Sequence, residues 1–132
     1  MRYLIDTDWI IHYLNGNEPI VKKLVSLREE GLSISIISLA ELYEGIYYST
    51  HPLSAEEALK DFLSGVSILD INYEICRIFG RERGYLRRKG ILISDFDLLI
   101  ASTCLYYNLI LLTNNVRHFE RIENLQILSS EG

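Results

Sequence analysis

Asp6, Glu41 and Asp97 are three carboxylates whose settings in the sequence suggest one shared site. Tyr3-Leu4-Ile5 reads as a short buried strand that stops at Asp6-Thr7-Asp8, and Glu41 and Asp97 each lie near a helix start after β-like residues. A buried parallel strand delivers the residue after it to the carboxyl edge of its sheet, where open α/β folds keep their ligand sites. Several carboxylates at one edge repel each other unless a cation or a shared proton compensates. Mg²⁺ is a hard cation that takes one or two carboxylates together with waters and substrate phosphate. Such a site activates water and neutralises phosphoryl charge, which suits hydrolysis of a phosphodiester. Asp6, Asp97 and Glu41 are therefore the candidate metal-binding and catalytic acids.

Each acid alone has a plainer reading. Ser38-x-x-Glu41 and Ser94-x-x-Asp97 both match the capping box, in which the acid satisfies an orphan backbone donor. Asp6 is harder to explain away, because an acid closing a buried strand must find a partner or a cation. Asp95 and Asp97 stand two apart on a helix and point to different sides, so they compete for one place at the site. Asp97 precedes the apolar run Leu98–Ala101 and is expected inward, with Asp95 capping or at the rim. Asp8 is either an outer ligand or a helix N-terminal charge. His12, His51 and His118 lack zinc-type spacing, and neither a Cys–His or Ser–His pair nor a glycine-rich phosphate loop is visible.

The elements that must position these acids alternate. Strands are expected at Arg2–Ile5, Leu32–Ile37, Val66–Leu69, Leu109–Thr113 and Leu125–Leu128. Helices are expected at Asp8–Leu14, from Pro19 to the stop at Gly31, Ser38–Ser49, Ser54–Leu63, Asn72–Lys89 (with a break near Gly80 or Gly84), Asp95–Tyr107 and Val116–Ile122. Strands alternating with helices imply a mostly parallel sheet covered on both faces, an α/β fold. The 132 residues suit one domain, 1–132, with Ser129–Gly132 frayed.

Composition narrows the function classes. The net charge of −5 argues against a general nucleic-acid coat protein. Arg77, Arg81, Arg83, Arg87, Arg88 and Lys89 nevertheless crowd one segment, against only Glu82. They read either as a solvated helix face or as a rail that steers an RNA backbone, with Arg81, Arg87 and Arg88 as the candidate contacts. Tyr43, Tyr47 and Tyr48 fit base stacking, a subunit contact or core equally. Cys76 and Cys104 sit in helical apolar patterns and are expected as buried free thiols in a reducing compartment, with the chain cytoplasmic. The charge-free stretch between Asp97 and Arg117 is long enough to span a membrane, but its asparagines make it a buried helix followed by a buried strand.

Four segments together resemble the PIN-domain ribonucleases, and among them the VapC-type toxins. They are Ile5-Asp6-Thr7-Asp8, Ser38-Leu39-Ala40-Glu41-Leu42-Tyr43-Glu44-Gly45, Asp97-Leu98-Leu99-Ile100-Ala101 and Leu112-Thr113-Asn114-Asn115 with Phe119. The resemblance covers essentially the whole chain. It implies a three-layer α/β/α fold and a Mg²⁺- or Mn²⁺-dependent endoribonuclease, commonly homodimeric. It also implies a VapB-type antitoxin that inhibits the nuclease and, with it, binds operator DNA. By resemblance Asp6, Glu41 and Asp97 fall on the family's acidic quartet. Asn115 stands at the fourth position, where many members carry Asp, and Ser38 and Thr113 would hold carboxylates or water. Two alternatives remain. Asp6-Thr7-Asp8 also resembles the start of haloacid-dehalogenase phosphatases, although Ile10 departs from that motif, and the chain could be a non-catalytic PIN-like protein-binding module.

Overall fold

A computed structural model describes residues 1–131; Gly132 lies outside the described residues. Five short strands, β1 (Tyr3–Ile5), β2 (Leu32–Ser35), β3 (Ser67–Leu69), β4 (Ile110–Leu112) and β5 (Gln126–Leu128), form one sheet in the order β3-β2-β1-β4-β5. Every pairing is parallel, with Tyr3 opposite both Leu32 and Ile110. Among the described residues seven α-helices connect them: α1 (Thr7–Leu14), α2 (Glu18–Leu27), α3 (Ile36–Tyr48), α4 (Pro52–Leu63), α5 (Tyr73–Arg88), α6 (Asp95–Tyr107) and α7 (Val116–Phe119), with one 3-10 turn at Arg28–Glu30.

The alternation of side chains along each strand divides the core in two. Tyr3, Ile5, Ile34 and Leu112 pack on one side with Trp9, Ile10, Leu42 and Leu59 of the early helices. Leu4 and Leu111 face the other side, with Leu98, Ile100, Ala101 and Phe119. The result is the expected three-layer α/β/α arrangement. Two successive crossovers run outward from β1 through β2 to β3, and the chain then jumps to β4 on the opposite side of β1. The carboxyl ends of β1 and β4 therefore flank a point where strand order reverses, the usual place for a crevice.

Several boundaries differ from the sequence reading. β2 stops at Ser35, whose hydroxyl accepts from the Ile37 amide (3.0 Å) and caps α3, so Ile36 and Ile37 are helical despite their β-branching. Ser38 is thus a buried residue inside α3 and not its cap. Glu41 lies beyond the first turn, where the helix dipole does not hold its charge. α5 runs unbroken through Gly80 and Gly84, because its apolar face against α6 outweighs a helix penalty of about 1 kcal/mol per glycine. Cys104 is buried as expected, but Cys76 is exposed. Ser130 is held rather than frayed, its amide donating to Asn114 Oδ1 at 2.9 Å. Among the described residues no helix is long and apolar enough to cross a membrane.

Leu4 is fully buried on the central strand. Leu4→Ala is expected to cost about 2–5 kcal/mol by urea unfolding. Leu92→Ala, at a side chain 79% exposed, should shift stability by no more than about 0.5 kcal/mol.

Candidate active site at the carboxyl ends of the central strands

Asp6 follows the last residue of β1 and also caps α1, with Oδ1 accepting from the Thr7 amide at 2.9 Å. Its Oδ2 accepts from the Thr113 hydroxyl at 2.7 Å, and Thr113 follows β4. The two central strands are joined here by one carboxylate that is only 5% exposed. Burial pushes the Asp6 carboxyl up to about 7, and the negative charges of Asp8 and Asp97 push the same way against the two donors.

Asp8, in the first turn of α1, is also raised. Burial is the main cause, with repulsion from Asp97 adding to it. Its Oδ1 is buried without a hydrogen-bond partner. Glu41 reaches the site from the second turn of α3. Its Oε1 accepts from the Thr7 hydroxyl at 2.7 Å, and that hydroxyl lies 2.9 Å from Ser38 Oγ. Burial raises Glu41 too, with repulsion from Asp97 adding to it. Asp97 sits in the first turn of α6, where Ser94 Oγ accepts from the Asp97 amide at 3.2 Å. Its Oδ2 lies 3.1 Å from His118 Nε2 of α7.

The structure thus brings Asp6, Asp8, Glu41 and Asp97 into one electrostatically coupled group, with Ser38 and Thr113 as its hydroxyl supports. It does not bring Asp95. That side chain is exposed, turned toward α5, and paired with Arg83, which also donates to the Ile93 carbonyl. Asn115 is exposed at the head of α7, tied to the site through its amide, which donates to Thr113 Oγ1 at 3.0 Å. Arg81 meets Glu82 at 3.4 Å, and among the described residues no hydrogen bond or ion pair joins Arg81, Arg87 or Arg88 to the acids.

Three contacts escaped the sequence reading. Thr7 bridges α1 to Glu41, and the signal was its place between two acids at a helix start. His118 lacks zinc-type spacing, yet it follows Thr113 by five residues and must stay near the end of β4. Asn114 Oδ1 accepts from Trp9 Nε1 at 3.0 Å, which locks the loop after β4 against α1.

These donors fit a hard divalent cation. All are oxygens, the acids repel one another, and the buried Asp8 Oδ1 has no other partner. Among the described residues no three His, Cys, Asp or Glu side chains close round a single point as a finished cage. That is compatible with Mg²⁺, which keeps several waters and needs few direct protein ligands.

The PIN domain family matches residues 3–125. The chain is 34% identical over 128 residues to "Ribonuclease VapC1" of Haemophilus influenzae strain R2866, covering 96% of each. It is 34% identical over 127 residues to "Ribonuclease VapC2" of Rickettsia felis, covering 95% of each. Among solved structures it resembles VapBC2 from Rickettsia felis bound to a DNA fragment from its promoter. There the TM-score is 0.92 at 33% identity, over 98% of both chains.

The raised Asp6 has a thermodynamic consequence. Its folded value of about 7 lies above the ordinary 3.8, so between those limits the folded chain binds more protons than the unfolded one. Stability in EDTA should therefore be full below pH ~4, fall by about 4 kcal/mol as pH rises through 7, and then level off. Asp6→Asn should flatten this slope in urea titrations, leaving the smaller part due to Asp8 and Glu41. An equally steep slope in the variant would show that Asp6 is not the group that titrates.

Proposed function

The chain belongs to the PIN-domain family, and on that footing we propose that it is a Mg²⁺-dependent endoribonuclease, the toxin of a type II toxin–antitoxin pair. The observation that carries this reading is the group Asp6, Asp8, Glu41 and Asp97, gathered at the switch point of the sheet with Asp6 buried, the other three half-buried, and a partnerless Asp8 oxygen among them. Kinship with proteins named ribonuclease VapC supports RNA as the substrate. The likeness to a VapBC complex on promoter DNA supports a VapB-type antitoxin and operator binding through that complex. Homodimerisation and action in the cytoplasm complete the proposal. Family membership leaves the phosphatase reading without support, and the coupled acids speak against a purely structural module.

Asp6 and Asp97, flanked by Asp8 and Glu41, would hold the Mg²⁺ (or Mn²⁺) ion. When bound, it supplies a lowered pKa for water and charge neutralisation at the scissile phosphate. Glu41 accepts the proton of the attacking water; its burial raises it toward the range a base needs, and Thr7 fixes its carboxylate. Attack on phosphorus breaks one P–O ester bond, leaving a phosphate monoester on one product and a hydroxyl on the other. Thr113 and the Thr7 amide hold Asp6 in a single orientation. Asn115, at the quartet's fourth position, presents a neutral amide at the rim. Arg81, Arg87 and Arg88 would add non-specific attraction for the RNA backbone.

Asp6→Asn is expected to reduce Mg²⁺-dependent cleavage of total cellular RNA at least ~100-fold while the far-UV spectrum stays native. Wild-type cleavage should vanish in EDTA, return with Mg²⁺ or Mn²⁺, and climb as pH rises toward 7, where Asp6 ionises. Full activity in the variant, or cleavage undiminished by EDTA, contradicts the proposal.

A further inference from the structure

A second, oppositely charged feature borders the acids. Asn115, Arg117, His118 and Arg121 line an open pocket of about 280 Å³. It is anchored to the carboxylate group at two points. His118 Nε2 lies 3.1 Å from Asp97 Oδ2, and the Asn115 amide donates to Thr113 Oγ1, whose own hydroxyl donates to Asp6. Arg121 is held in place by its own turn, with Nε donating to the His118 carbonyl at 3.1 Å and Nη2 lying 3.1 Å from His118 Nδ1. Arg117 is exposed. Among the described residues neither Arg117 nor Arg121 has a carboxylate within ion-pair distance, although the chain carries 18 acids against 13 basic residues. What sets these two guanidinium groups apart from other unpaired cations is their place, side by side in a pocket that adjoins the acids, where they are available to an anion that the acids alone would repel.

We propose that this pocket is a subsite for a backbone phosphate of the RNA strand, one adjacent to the phosphate being cleaved. The inference rests on the ribonuclease reading above. An RNA strand laid across the carboxylates carries a phosphate on each side of the scissile one, and the acids repel both flanks. A pair of arginines on the rim offsets that repulsion where the strand leaves the site. Guanidinium groups suit this task because their planar donors match two phosphate oxygens at once. Arg121 is prepositioned by His118, whereas Arg117 is free to follow the strand. Contacts of this kind fix the register of the strand without reading its bases. An acidic segment of a protein partner is the less favoured occupant, because nothing obliges it to pass beside the hydrolytic acids.

The test is steady-state cleavage of a single-stranded RNA oligonucleotide with Mg²⁺ across a range of KCl. Arg117→Gln and Arg121→Gln should each raise KM about threefold to fivefold near 0.15 M salt, leave kcat unchanged, and flatten the salt dependence of log(kcat/KM) by about 0.7. Arg117→Lys should keep the wild-type salt slope, since it retains the charge. Among the described residues the Arg117 side chain makes no hydrogen bond, so its variant isolates the phosphate contact even if Arg121→Gln disturbs α7. Wild-type cleavage with unchanged KM and salt slope in both variants overturns the subsite while the nuclease reading stands. If those same variants instead escape inhibition by a partner protein, the pocket belongs to an acidic protein segment. Failure of the wild type to cleave RNA at all overturns the nuclease reading, and the subsite with it.

Discussion

Asp6 is a carboxylate buried where the central strand of the sheet ends, and the surrounding structure is arranged around the cost of keeping it there. An isolated buried charge would cost several kcal/mol, so the group must be hydrogen-bonded, protonated or paired with a cation. The fold supplies two donors, the Thr7 amide at the head of α1 and the Thr113 hydroxyl at the end of β4. Burial outweighs that gain, Asp8 and Asp97 nearby add to it, and the carboxyl rises to about 7. A sequence selected for stability alone would not place three more acids around the first. The site is a local conflict sustained by a core that is otherwise free of one.

The rest of the molecule makes this conflict tolerable. β1 lies between β2 and β4, and its three residues are fully enclosed. The reversal of strand order beside β1 opens the crevice, and α1, α3 and α6 each send an acid into it from a different direction. Hydroxyl groups then fix the acids: Thr7 for Glu41 and Thr113 for Asp6. Trp9 and Asn114 clamp α1 to the loop after β4, so that the two halves of the site share one rigid frame. Carboxylates fixed in this way need little reorganisation to receive a cation.

Much of this was legible in the sequence. The alternation of strand-like and helix-like runs fixed the α/β class, and strand-ending acids marked the carboxyl edge of the sheet. Asp97 was separable from Asp95 by helical geometry, because the apolar run after it pointed inward. The start of α3 was misread, since Ile36 and Ile37 look like strand and only the Ser35 cap makes them helix. That error turned a buried Ser38 into a cap. Asp8 stayed ambiguous because its surroundings depend on Asp6 and Asp97, which lie beside it only after folding. His118 carries no local pattern at all. Its proximity to Asp97 comes from β4 pairing with β1, a tertiary relation that no short window contains.

If Asp6, Asp8, Glu41 and Asp97 form the proposed cation site, a proton competes with the metal for it. Calorimetric titration with Mn²⁺ near pH 6.5, repeated in buffers of different ionisation enthalpy, tests it most directly, because it counts the protons released on binding. Binding is expected to be saturable, with net proton release that shrinks as pH is raised above 8, and to be lost in Asp97→Asn. Absence of Mn²⁺ binding to the wild-type chain, or binding that releases no proton at pH 6.5, would contradict it.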